Sequence, residues 1–103
     1  MKVNVLKNED GKLNVSIEGR VDTNTAAEFQ SELLKLATES EGAADIIIDC
    51  SELEYTSSQG LRVFLMLQKS LNSSGGKMAL VNLQPQVKEV FDITGFSNII
   101  KIQ

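Results

Sequence analysis

Asp45-Ile46-Ile47-Ile48-Asp49, then Ser57-Ser58-Gln59-Gly60 running into Leu61-Arg62-Val63-Phe64-Leu65-Met66-Leu67, is the part of the chain that decides its fold. Three consecutive β-branched residues between two aspartates favour extended backbone, and a continuous apolar run marks a strand central in its sheet. The second run continues through Leu71 and reads as a helix apolar nearly all round, which implies deep packing. Ser51-Glu52-Leu53-Glu54-Tyr55-Thr56 reads as the loop between them, and Ser73-Ser74-Gly75-Gly76 stops the helix. Met78-Ala79-Leu80-Val81 is a further short strand, so the segment is a strand, helix, strand unit whose strands pair parallel through a right-handed crossover.

Upstream, Val3 and Val5, then Leu13, Val15 and Ile17, alternate with polar residues around Asn8-Glu9-Asp10-Gly11, a hairpin signal. Asn14, Ser16 and Glu18 alternate with the second apolar set, so one side of this sheet is expected to be wet. Gly19 to Asn24 forms a connection. Thr25-Ala26-Ala27-Glu28 fits a capping box, and Ala26, Phe29, Leu33, Leu36 and Ala37 give a helical stripe to about Ser40, closed by Glu41-Gly42-Ala43. Downstream, Pro85 suits a first helical turn, Val87, Val90 and Phe91 share a face, Gly95 ends that helix, and Ile99 to Ile102 reads as a last strand. The expected order is β-β-α-β-α-β-α-β: a single α/β domain over residues 1–103, with a mixed sheet of one antiparallel hairpin plus parallel strands, packed by helices.

The chain has 103 residues, a net charge of −4, one cysteine and no histidine. That length supports one core without disulfide or metal. Without histidine, a zinc, copper or haem site would have to be built largely from carboxylates, and hydrolysis by a nucleophile, histidine and acid arrangement is excluded within the chain. Fourteen acids against ten bases and no basic cluster argue against nucleic acid and for a protein partner. The N-terminus lacks a signal-peptide pattern and no apolar run approaches membrane-spanning length, so a cytoplasmic protein is expected.

Gly75-Gly76-Lys77 has Leu71 and Met78 where a phosphate-binding P-loop needs glycine and a hydroxyl, and reads as a turn. Thr56 to Gly60 lacks the leading glycine of a nucleophile elbow. Asp22, Asp49 and Glu52 read as solvated loop acids and caps rather than an acid and base pair. Cys50, beside Asp49 and without a basic neighbour in sequence, reads as a packing residue. Ser57 and Ser58 precede the most apolar helix, where free N–H groups and the helix dipole favour negative charge. One reading is an ordinary N-cap; the other is a phosphoryl acceptor with Arg62 as counter-ion.

The sequence resembles the STAS family, specifically the bacterial anti-sigma-factor antagonists, over nearly its whole length. Gly19-Arg20-Val21-Asp22 is similar to the family's G-x-hydrophobic-D element, and Asp49-Cys50-Ser51 through Leu53 to its D-hydrophobic-S stretch. Ser57-Ser58-Gln59-Gly60-Leu61 falls on D-S-[ST]-G-L, and Phe91-Asp92-Ile93-Thr94-Gly95-Phe96 on F-[DE]-hydrophobic-[TS]-G-hydrophobic. The resemblance implies that Ser58 is the phosphorylated residue. It implies a partner-binding surface of Asp22, Thr23, Asn24, Ser57, Ser58, Gln59 and Arg62. The implied partners are an anti-sigma factor that is a serine kinase, bound by the unphosphorylated domain so that the sigma factor is released, and a metal-dependent serine phosphatase that resets the switch. The chain would be substrate and not enzyme, with no cofactor.

Two residues depart from the sporulation and stress-response members: Ser57 replaces the aspartate before the acceptor, and Arg62 stands where glycine is frequent. These motivate the alternative expectation, a constitutive interaction or scaffold subunit of a transporter or signalling assembly, in which Ser58 is merely a cap.

Overall fold

The computed structural model describes residues 1–9, 12–39, 45–73 and 75–103. Strands β1 (Lys2–Glu9) and β2 (Lys12–Val21) pair antiparallel. Next to β2 come β3 (Asp45–Thr56), β4 (Lys77–Val81) and β5 (Lys101–Ile102), each parallel to its neighbour, in one sheet of order β1-β2-β3-β4-β5. Helix α1 (Ala26–Glu39) links β2 to β3, α2 (Ser58–Ser73) links β3 to β4, and α3 (Pro85–Ile93), with a 3-10 turn at Phe96–Asn98, links β4 to β5. The element order is the one expected from sequence, and the isoleucine strand is the middle one. Asp10-Gly11 of the expected hairpin turn, Ser40 and Glu41-Gly42-Ala43 at the expected end of the first helix, and Ser74 lie outside the described residues.

The helices gather on one face. Leu13, Val15 and Ile17 of β2, Ile46, Ile48, Cys50 and Leu53 of β3, and Met78 and Leu80 of β4 are buried beneath them. One phenylalanine from each helix joins this layer: Phe29 meets Phe64 edge-on at 4.9 Å between ring centroids, and Phe64 meets Phe91 at 5.6 Å. Such offset contacts add to the large apolar area that each ring removes from water. On the other face Asn14, Ser16, Glu18, Ile47 and Asp49 are only half-buried, as the alternation in β2 predicts. Asn4 Nδ2 donates there to Glu18 Oε2 at 2.6 Å, joining β1 to β2.

Four segments differ from expectation: Gly19 to Val21, read as the start of a connection, extends β2, and the last strand is confined to Lys101–Ile102, shorter than the expected Ile99 to Ile102. Ser51 to Thr56, read as a loop, continues β3 and pairs with Glu18–Val21 of β2. The register slips twice along this stretch, so Leu53 and Thr56 are buried while Glu52, Glu54 and Tyr55 are exposed. A spacing of three between buried residues breaks the period of two by which strands are recognised. Helix α2, in turn, is buried on only part of its surface: Arg62, Met66, Lys69 and Ser73 form an exposed stripe. With all three helices on one face, its outer side is left to water.

Because Phe64 is fully buried between the other two rings, Phe64→Ala is expected to cost about 3–5 kcal/mol, measured by urea unfolding followed by circular dichroism.

Candidate functional site

The parallel strands β2 and β3 end side by side, and the chain leaves both at the same end of the sheet. The Ser57 N–H donates to Val21 O at 2.8 Å, fastening the start of α2 to the end of β2. Gly60, one turn on, makes this approach possible. A Cβ there would lie 2.9 Å from Val21 Cγ1 and 3.0 Å from Val21 O, and would collide with Thr56 Oγ1. Any side chain at this position would push the helix away from the sheet.

The two serines divide their roles. Ser57 is half-buried and sits at the N-cap, where its carbonyl accepts from Leu61 N–H at 3.0 Å and its hydroxyl oxygen receives Gly60 N–H at 3.4 Å. Ser58 is the first helical residue and is exposed, its hydroxyl 3.4 Å from Gln59 Oε1 of the neighbouring exposed side chain. The cap is therefore Ser57, and the hydroxyl available to a second protein is that of Ser58.

Asp22 shapes the adjoining loop from within. Its Oδ1 accepts from Asn24 N–H at 2.9 Å and Thr25 N–H at 3.2 Å. The Thr25 hydroxyl accepts from Asp22 N–H at 2.9 Å and donates to Arg20 O at 3.0 Å. Thr25 thus turns back into the loop, where the capping-box reading placed its hydroxyl on Glu28; an aspartate three residues earlier supplies a competing local turn. Asp22 is half-buried, whereas Thr23 and Asn24 are exposed at the loop tip.

These residues share one end of the molecule, joined through a groove between α1 and α2. Thr23, Gln59 and Arg62 stand at its rim; Ala26, Ala27, Val63 and Met66 supply its apolar wall, around a volume of about 350 Å³. Gln30 Nε2 lies 3.7 Å from Met66 Sδ across it. Of the expected surface, Thr23, Gln59 and Arg62 therefore line this groove, Ser58 and Asn24 are exposed beside it, and Asp22 and Ser57 hold the backbone that carries them. Sequence reasoning did not single out Met66, Gln30, or the pair Arg20 and Tyr55. The Arg20 guanidinium stacks 4.4 Å from the Tyr55 ring centre, the two facing each other across β2 and β3. Cross-strand register is the signal that would have found this pair.

Two nearby titratable groups, Asp49 and Cys50, are engaged in structure. The Asp49 carboxyl is held below its usual range, chiefly by the Ser51 N–H at 2.9 Å, with Asn82 adding a weaker bond at 3.4 Å. Burial, followed by the charge of Asp49, pushes the Cys50 thiol up to about 12. It is a protonated packing group at neutral pH. Among the described residues no group of three His, Cys, Asp or Glu side chains could hold a metal ion, and no helix is long and apolar enough to cross a membrane.

Comparison with known proteins bears on the family and the fold. The family model described as the STAS domain matches residues 4–103. The anti-sigma-B factor antagonist of Bacillus subtilis is 35% identical over 103 residues, covering 99% of this chain and 92% of that protein. Two solved structures share the fold. An anti-sigma factor antagonist from Mycobacterium paratuberculosis has a TM-score of 0.81 at 22% identity, covering 98% of this chain and 85% of that one. The Bacillus cell fate determinant SpoIIAA in its phosphorylated form has a TM-score of 0.68 at 18% identity, covering 99% and 89%.

The division between the serines predicts unequal costs. Ser57→Ala should destabilise the domain by about 1 kcal/mol through loss of the cap, and Ser58→Ala should stay within about 0.5 kcal/mol, both read by chemical denaturation. Cys50 should resist a thiol-disulfide reagent at pH 8 in the native protein and react at once in denaturant, followed by the absorbance of the released thiolate.

Proposed function

The chain belongs to the STAS domain family, and from that premise we propose that it is an anti-sigma-factor antagonist whose switch is Ser58. The observation that carries this reading is the exposed Ser58 hydroxyl at the first position of α2, relieved of capping by Ser57 and adjoining the loop of Thr23 and Asn24. In the unmodified state this end of the molecule binds an anti-sigma factor that is also a serine kinase, and the sigma factor goes free.

The kinase transfers the γ-phosphoryl group of ATP to Ser58 Oγ, and the serine proton leaves to a base that the kinase supplies. The product side chain carries about −1.5 to −2 charge. The start of α2 tolerates that charge, because the first N–H groups of a helix point outward and the dipole is positive there. An acidic group of the partner facing the same spot does not, and the complex dissociates. A metal-dependent serine phosphatase returns the domain to its binding form. In this cycle the chain is a substrate and supplies no catalytic group.

Ser57 in place of the family's aspartate fits the same scheme. Serine and aspartate are comparably good N-caps, so the substitution keeps the geometry that presents Ser58 while removing one negative charge beside it. The capping role found for Ser57 also weakens the motive for a constitutive scaffold, in which Ser58 itself would serve as the cap.

Incubation with the anti-sigma factor kinase and ATP should add one phosphate, located at residue 58 by peptide mass spectrometry and absent in Ser58→Ala. Ser58→Asp should weaken kinase binding at least about tenfold in calorimetry. Phosphate on another residue, together with unchanged binding by Ser58→Asp, would falsify the proposal. Recovery of a transporter ATPase and no kinase in a pull-down would favour the scaffold role.

A further inference from the structure

We propose that Arg62 serves two negative groups in turn: a carboxylate of a partner segment seated in the groove between α1 and α2, and the phosphate of Ser58, which draws Arg62 away from that groove. This rests on the reading of Ser58 as the switch, and explains how a phosphate on one side chain reaches a wider surface.

The groove is walled by Ala26, Ala27, Val63 and Met66, and Met66 is 36% exposed. Its volume of about 350 Å³ accommodates an aliphatic side chain. Among the described residues lining it, Arg62 is the only charged one. The complement of an apolar wall with one cation at its rim is an apolar side chain next to a carboxylate. The groove also continues the Ser58 surface without a break, since Gln59 and Arg62 belong to the first turns of the helix that Ser58 begins.

Ser58 and Arg62 stand four residues apart on α2, which puts their Cβ atoms about 6 Å from each other on one face. The acidic member would be the N-terminal one, the better order for such a pair. A guanidinium forms paired, charge-assisted hydrogen bonds with a phosphate. A guanidinium turned back along α2 onto the phosphate leaves the groove rim, so phosphate and partner compete for Arg62 as well as repelling each other directly.

The test uses the chain alone, with phosphoserine placed at position 58 by genetic encoding, beside the same protein carrying Arg62→Gln. In a phosphorus NMR titration the second ionisation should occur at a pH lower by about half a unit with Arg62 present than in Arg62→Gln. Identical titrations would overturn the pairing. For the groove, acetyl-Leu-Glu-amide is titrated into protein labelled on methionine methyl groups. The Met66 signal should move in the unmodified chain, and move far less in Arg62→Gln and in the phosphoserine form. Buried Met78, at the opposite end of the sheet, should stay still. A Met66 signal that does not move, or moves equally in all three, would overturn the docking role. Neither measurement involves a kinase, so failure of the switch itself would appear separately, in the kinase assay.

Discussion

The hydrogen bond from Ser57 N–H to Val21 O joins the ends of two neighbouring strands, and it forms only because Gly60 brings no side chain between α2 and β2. Position 60 trades helix propensity for contact: alanine is worth about 1 kcal/mol more than glycine inside a helix, but its methyl would strike Thr56 and Val21. The close approach sets Ser58 and the Asp22 loop at a common end of the sheet. The groove follows from it, its rim holding Thr23 from the Asp22 loop and Gln59 from the first turn of α2.

The one-sided packing of the sheet supplies the rest of the geometry. Phe29, Phe64 and Phe91 tie three helices into one layer above β2, β3 and β4. That layer leaves the outer stripe of α2 in water, and Arg62 and Met66 lie on this stripe. Had helices covered both faces symmetrically around α2, the same residues would have been buried, where an unpaired arginine is costly. The exposed stripe is thus a product of the fold, and it is the part to which the proposed partner contact is assigned.

Asp22 and Asp49 direct their carboxylates at backbone N–H groups, and Cys50 is a protonated thiol inside the core. The Ser58 hydroxyl at the helix start and the Arg62 guanidinium one turn later are exposed. In the proposed switch these groups receive charge from another protein and change what the chain binds.

Much of the architecture was legible in the chain. Ile46-Ile47-Ile48 is a central strand because a β-branched apolar run has few other stable uses, and the alternation in β2 identified the wet face. Pro85 at the start of α3 and the left-handed Gly95 after its end follow from backbone sterics at single residues. Local sequence also narrowed the candidate phosphoryl acceptor to two serines, and resemblance chose Ser58 between them. Only the tertiary structure assigned the cap to Ser57, carried β3 on to Thr56, and placed Arg62 and Met66 on a common groove with Ala27. Those outcomes depend on register between strands and on which side of a helix is covered. Both are set by contacts between segments far apart in the chain, and so lie outside what spacing along it encodes.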